Sequence, residues 1–303
     1  ETPRRLVRLP LPLLTTPASR CVEDPLRVDQ TYNADSEGEP VDLTLVDDPG
    51  DPRFTQFRLN ERGLASRAEK RDDGGAGLFL AEGDLVVERA RAAGCVPVAA
   101  LVDPDRVPEI ASLLHCPVYA GGVEVRRVVS GLGMPQNVIA LFERPARPDV
   151  AALASAADLL VVLEAVDNPA NVGSVVRNAA GLGWGGLVLD HTSADPLARR
   201  ALRVAMGTTF ALPHARTRDL AGDLAALDRH RLFAFTPDPE ATSLRDVTLA
   251  DDEPRALLIG SERAGLSADL LRIATPVRIP MAGGVDSLNA AAAAAIACFG
   301  LGR

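Results

Sequence analysis

Three short groups of residues carry the side chains able to do chemistry: Asn171-x-Gly173-x-x-x-Arg177, Gly260-x-Glu262-x-x-Gly265, and Ile279-Pro280-Met281 followed by Ser287-Leu288-Asn289. Arg177 offers a permanently charged, planar fork that suits a phosphate or a carboxylate. Asn171, near the start of a predicted helix, can cap that helix or bind a ligand. Glu262 is the single carboxylate of the set and can take up a proton, or simply favour a helix start. Glycines at 260 and 265 let the main chain approach a bound molecule closely. Taken singly, Asn171 reads as a cap, Gly173 as a close helix contact and Arg177 as a surface charge. Two glycine-bearing loops that each follow a strand point to a small-molecule site at the carboxyl edge of an α/β sheet.

The surrounding elements are those needed to position such loops. The apolar run Leu159–Leu163, bounded by Asp158 and Glu164, predicts a central strand covered on both faces. A helix starting near Asn171 and a strand Gly186–Leu189 complete a βαβ unit. A helix Pro196–Ala205, a strand Phe210–Leu212, a helix Asp219–Asp228 and strands Leu232–Phe235, Ala256–Ile259 and Val277–Met281 follow, before an alanine-rich helix opened by Ser287-Leu288-Asn289. The C-terminal half is therefore expected to be α/β, a parallel sheet with helices on both sides.

Upstream, strands Leu78–Ala81, Val96–Val102, Pro117–Ala120 and Val138–Phe142 alternate with helices Gly83–Ala93, Arg106–Leu114 and Gly122–Gly131, predicting a smaller α/β domain. Phe54, Phe57 and Leu64 recur at helical spacing with Arg53, Arg58, Arg62, Arg67, Lys70 and Arg71 between them, either a basic RNA-facing surface or a solvated helix face balanced by Glu61 and Glu69. Pro145 and Pro148 mark an interdomain linker, and it and the glycines at 74–77 suggest a domain able to move. Residues 1–48 lack a sustained period and read as a poorly ordered extension, in which Leu6–Leu14 could dock as an edge strand.

With 47% hydrophobic and 24% charged residues in 303, this is the composition of an ordinary globular chain. The net charge of −9 argues against wholesale polyanion binding, although local clusters can override it. Lys70 is the one lysine among 32 basic residues, so anion contacts fall to arginine. Cys21, Cys95, Cys116 and Cys298 are too scattered for a zinc site or a disulfide framework, and no metal is expected. No apolar run reaches membrane-spanning length and the start does not resemble a signal peptide, so the expected location is cytoplasmic. A dinucleotide-binding oxidoreductase is disfavoured, because no GxGxxG follows the first strand of either half.

The stretches NPANVGSVVRNAAGLG, LLIGSERAGLS and RIPMAGGVDSLNAAAAAAIACF resemble, in order and spacing, the SpoU/TrmH branch of the SPOUT superfamily, RNA ribose 2′-O-methyltransferases that use S-adenosyl-L-methionine. The resemblance covers residues 155–300, and the stretch LFLAEGDLVVERA is similar to the small ribosomal-protein-like RNA-binding domain that often precedes the catalytic one. It implies a deep trefoil knot and a homodimer whose active sites are completed across the interface. The implied organisation is an RNA substrate-binding domain at 49–145 and a methyltransferase domain at 155–303, acting on structured RNA, rRNA ahead of tRNA. It also places the cofactor against Gly260, Ile279 and Leu288, with Met281 and Gly265 beside them. Arg177 takes the position of the catalytic arginine, with Asn171, Glu262, Ser287 and Asn289 shaping the pocket. Where the family often has serine the chain has Ala205, which leaves open a knotted RNA-binding protein that has lost methyl transfer, unless Thr208 or Thr209 substitutes. Arg199, Arg200 and Arg203 are candidates for gripping the RNA backbone.

Overall fold

Side chains alternate in direction along each strand, and that alternation decides which helix covers which face. The computed structural model describes residues 42–65, 77–250, 252–283 and 285–303. The N-terminal unit comprises β1 (Leu43–Leu45), α1 (Glu61–Leu64), β2 (Leu78–Glu82), α2 (Asp84–Ala92), β3 (Pro97–Val102), β4 (Val118–Ala120), α3 (Val123–Ser130) and β5 (Val138–Glu143). Its sheet runs β1-β4-β3-β5-β2, parallel through β1, β4 and β3 and antiparallel at β5 and β2. The expected extension therefore ends before residue 48, because Leu43–Leu45 pairs with Val118–Ala120 and Val46 is buried. The Leu6–Leu14 strand lies outside the described residues, as do Arg67, Lys70 and Arg71.

Phe54, Phe57 and Leu64 are buried together, as their spacing predicts, but on a 3-10 turn at Pro52–Phe54 and the short α1 rather than on one long helix. Two of the expected basic-face residues are locally engaged: Arg53 pairs with Asp51, and Arg58 donates to the Pro49 carbonyl at 2.5 Å. The expected helix Arg106–Leu114 is a 3-10 segment, Glu109–Leu113, which starts only after Pro108.

The C-terminal unit continues with α4 (Val150–Ala156), β6 (Leu159–Glu164), α5 (Pro169–Gly181), β7 (Gly186–Asp190), α6 (Arg199–Ala205), β8 (His214–Thr217), α7 (Leu220–Ala225), β9 (Arg231–Phe235), β10 (Thr242–Ser243), β11 (Arg255–Gly260), α8 (Ala268–Ile273), β12 (Thr275–Arg278) and α9 (Ala290–Gly300). The sheet order is β10-β12-β9-β11-β6-β7-β8, parallel throughout. Along β6, Leu159, Val161 and Leu163 join a core with α5 and α9, whereas Leu160 and Val162 join one with α4, α7 and α8. Both faces are covered, which is why the strand reads as an unbroken apolar run.

Three element expectations need correction. Helix α5 begins with Pro169 behind an Asn168 cap, so Asn171 lies inside the helix and is not its cap. Thr208–Ala211 is a 3-10 turn after the left-handed Met206 and Gly207, and the strand of that region is His214–Thr217, in register with Leu187–Asp190. Strand β12 ends at Arg278, leaving Ile279 and Met281 in the following loop.

The two units are joined by buried contacts rather than by a free linker. Leu197 and Leu202 sit in the core of the N-terminal unit, and Phe210 packs on Phe79 with ring centres 5.6 Å apart. Glu82, only 3% exposed, forms ion pairs with both Arg199 and Arg203, and Arg144 pairs with Asp195. Arg199 and Arg203 are thus committed to holding the N-terminal unit instead of RNA; Arg200 remains exposed.

Candidate active site

The carboxyl ends of β9, β11 and β12 open into a cavity of about 400 Å³, within the range usual for small-molecule sites. Its shape follows from the turn after β11. The Gly265 N–H donates to the Ser261 carbonyl at 2.9 Å and the Ala264 N–H to Ser261 Oγ at 3.2 Å, closing residues 261–265 on themselves. Gly265 holds φ +67°, a left-handed conformation that costs glycine little. A Cβ on Gly260 would stand 2.1 Å from the Gly265 carbonyl carbon, so that glycine is demanded by the returning turn itself.

Seven of the expected residues line this cavity: Gly260, Glu262, Gly265, Ile279, Met281, Ser287 and Leu288. Phe235, Leu266 and Leu271 add apolar wall, while Thr236, Ser261 and Arg263 add polar groups. Sequence reasoning misses these, because single residues on the strand ends and turn carry no spacing signal; Thr236 before Pro237 is the one trace of a turn at a strand end.

Asn171 and Asn289 reach the cavity through Glu262. Asn171 Nδ2 donates to Glu262 Oε1, and Asn289 Nδ2 donates to Asn171 Oδ1 at 3.1 Å. Asn289 Oδ1 in turn accepts from the Ala291 and Ala292 N–H groups at 2.9 and 3.3 Å, capping α9. The three groups read from the sequence thus meet in one chain of hydrogen bonds. Glu262 does not start a helix; α8 begins later, behind a Ser267 cap.

Arg177 is exposed, has no hydrogen-bond or ion-pair partner among the described residues, and lines a second, more open recess with Ser174, Val204, Ala292 and Ala295. Ala290 and Ala293 line the first cavity, so the opening turns of α9 separate Arg177 from it. Gly173 serves packing, since a Cβ there would lie 2.4 Å from the Ala201 carbonyl oxygen of α6. Ala205 is wholly buried in the core shared with α5, and Thr208 Oγ1 donates to its carbonyl at 2.8 Å. A serine hydroxyl at 205 would therefore face the core.

The loop after β6 is held by a residue the motifs do not include. Asp190, at the end of β7, accepts hydrogen bonds from the Ala165, Thr192 and Ser193 N–H groups and from both neighbouring hydroxyls. Burial alone would raise its carboxyl, but these donors, Ser193 and Thr192 foremost, hold it below the ordinary range. Ala165 there adopts φ 53° just ahead of α5, a strained conformation outside glycine. Burial pushes the thiols of Cys95 and Cys116 up to about 11 and that of Cys298 to about 12, which makes them poor nucleophiles. Among the described residues, no three His, Cys, Asp or Glu side chains group as a metal site, and no helix is long and apolar enough to cross a membrane.

Residues 158–299 match the model of the SpoU rRNA Methylase family. An uncharacterized tRNA/rRNA methyltransferase of Mycobacterium tuberculosis is 39% identical over 269 residues, covering 86% of this chain and 91% of the relative. The chain belongs to the SpoU family. A second member, the 23S rRNA (guanosine(2553)-2′-O)-methyltransferase RlmP of Bacillus subtilis, is 30% identical over 230 residues, 74% of this chain and 88% of that one. The AdoMet-bound rRNA methyltransferase from Sinorhizobium meliloti superposes with a TM-score of 0.72 at 26% identity, covering 85% of this chain and 97% of the other. The SpoU assignment accounts for a mixed α/β chain with a parallel sheet and makes this an RNA methyltransferase.

Proposed function

We propose that this chain transfers a methyl group from S-adenosyl-L-methionine to a ribose 2′-hydroxyl of structured RNA, with ribosomal RNA as the substrate class. The observation that carries the reading is the hydrogen-bonded series Glu262–Asn171–Asn289 beside an apolar-walled cavity at the carboxyl edge of the sheet. The cofactor fits the residues present: Ile279, Leu288 and Leu266 offer apolar surface to an adenine, and Ser261, Thr236 and Ser287 offer polar contacts. The rRNA 2′-O-methyltransferase named among the relatives supports ribosomal RNA over transfer RNA.

When bound, S-adenosyl-L-methionine supplies a methyl already activated on sulfonium, so the protein contributes position and local charge. A guanidinium offers hydrogen-bond donors and no acceptor, so Arg177 grips a phosphate beside the target ribose and orients the 2′-hydroxyl. Glu262, its orientation fixed by Asn171, takes the proton that the hydroxyl loses.

Arg177 opens away from the cavity of its own chain, so the reading includes a homodimer in which each copy presents Arg177 to the other's cavity. On α9, Ile296 and Phe299 are 41% and 80% exposed and continue the stripe of Ala292 and Ala295 beside Arg177. Such an apolar face suits a second copy. The same reading gives the C-terminal segment the deep trefoil knot of SPOUT enzymes, an exception to the usual absence of knots. It gives residues 49–145, together with the β1 strand that pairs with β4, the role of binding the RNA substrate. The alternative of RNA binding without methyl transfer rests on Ala205 and on the acidic net charge of −9; that Ala205 is buried and does not line the cavity supports the transfer reading over it.

The test is calorimetric titration of S-adenosyl-L-methionine, then transfer of a tritiated methyl group to total rRNA and tRNA. Binding with transfer to rRNA is expected. Binding with transfer to tRNA alone would change the substrate class, and absence of binding would overturn the reading.

A further inference from the structure

We infer that Arg263 binds the α-carboxylate of the cofactor's amino-acid tail. The inference rests on the proposed S-adenosyl-L-methionine site and gives a role to a position that the motif Gly260-x-Glu262-x-x-Gly265 leaves unspecified. Among the described residues, Glu262 and Arg263 are the two charged side chains that line the cavity. Glu262 is engaged by Asn171, whereas Arg263 has no hydrogen bond or ion pair among the described residues.

The backbone that carries Arg263 is fixed while its head is free. The bonds from Ala264 and Gly265 back to Ser261 close the turn on either side of it, and Gly265 locks that turn in its left-handed conformation. The guanidinium therefore stands on the exposed rim of a cavity whose wall is apolar at Phe235, Leu266, Ile279 and Leu288. A ligand with a flat apolar end and a charged end has one way to satisfy both, with the base against the wall and the tail toward the rim. The tail carries a carboxylate, and a guanidinium fork matches a carboxylate with two parallel hydrogen bonds.

The experiment compares two probes that differ in that tail: S-adenosylhomocysteine, which has it, and 5′-methylthioadenosine, which lacks it. Both are titrated calorimetrically into the full chain carrying Arg263, Arg263→Ala or Arg263→Lys. Arg263→Ala is expected to weaken S-adenosylhomocysteine about 5-fold, the scale of an exposed charge pair, and to leave 5′-methylthioadenosine unchanged. Arg263→Lys, which keeps the charge but not the fork, recovers part of the loss. Equal weakening of both probes, or of neither, overturns the inference. Unchanged S-adenosylhomocysteine affinity with a raised KM for RNA overturns it too, and assigns the guanidinium to the nucleic acid. If the unsubstituted protein binds neither probe, the failure lies with the cofactor site itself.

Discussion

Asn171 accepts the Asn289 amide on Oδ1 at 3.1 Å, and that bond fixes which way the Asn171 side chain faces. Asn289 has no choice of partner: its Oδ1 is committed to the first N–H groups of α9, so its Nδ2 must donate outward. Asn171 must then present its oxygen to Asn289 and its Nδ2 to Glu262. The cap of one helix thus orients a carboxylate on a loop distant in sequence. Asn171 is largely buried. Asn171→Asp would put two carboxylates in contact there and should cost about 1–3 kcal/mol in urea unfolding. Adding Glu262→Gln should recover most of that loss, and a double variant no more stable than the single one would count against the coupling.

Arg177→Ala should lower methyl transfer at least ~100-fold, the scale of losing one charge contact made in the transition state. Cofactor affinity should hold, because Arg177 does not line the cofactor cavity. Transfer at the unsubstituted rate would end the role assigned to it. Mixing Arg177→Ala chains with chains impaired at Glu262 should restore part of the activity if sites are shared between copies.

Gly173→Ala tests the packing of α5 on α6. Helix propensity alone predicts a gain of up to about 1 kcal/mol for alanine over glycine. The Ala201 carbonyl oxygen, 2.4 Å from the added Cβ, cannot move without shifting the α6 backbone. Overpacking of that kind typically costs ~1–3 kcal/mol. The clash should win, giving a lower urea midpoint; a higher midpoint would show that the helices can part.

Glu82→Gln should loosen the two units. The carboxylate is buried between Arg199 and Arg203. Removing its charge leaves two cations facing a neutral partner, a change worth about 3–5 kcal/mol at buried pairs. Scattering should show a larger envelope for the variant than for the unsubstituted protein, and proteolysis near 144–149 should accelerate. An unchanged envelope and cleavage rate would mean that Leu197, Leu202 and Phe210 hold the units together without the ion pairs.

His214 makes stability depend on pH. Burial, opposed by Asp195 and reinforced by Arg147, lowers its pKa from 6.5 to about 4. In the unfolded chain the imidazole protonates first as pH falls, so its contribution is complete above about 6.5, declines between there and about 4, and is flat below. The loss is at most about 3 kcal/mol. Urea midpoints at pH 7 and 4.5 should therefore differ less in His214→Gln than in the unsubstituted protein; equal differences would show that the slope comes from other groups, such as His230, whose pKa burial also lowers.

The sequence by itself determined the family, the parallel sheet and most of the cavity. Periodic apolar runs such as Leu159–Leu163 report burial directly, and Gly260, Gly265, Ile279 and Leu288 sit on loops whose position follows from the strands before them. Tertiary structure decided what depends on partners distant along the chain. Asn171 became a link to Glu262 and Asn289 rather than a cap, because Asn168 had already taken that role through Pro169. Arg199 and Arg203, equally basic on paper, were drawn to a buried Glu82 more than a hundred positions away, while Arg177 and Arg263 were left facing open cavities. Residue type and spacing record what a side chain is able to do; the charges and carbonyls that the fold brings within about 3 Å of it settle which of those things it does.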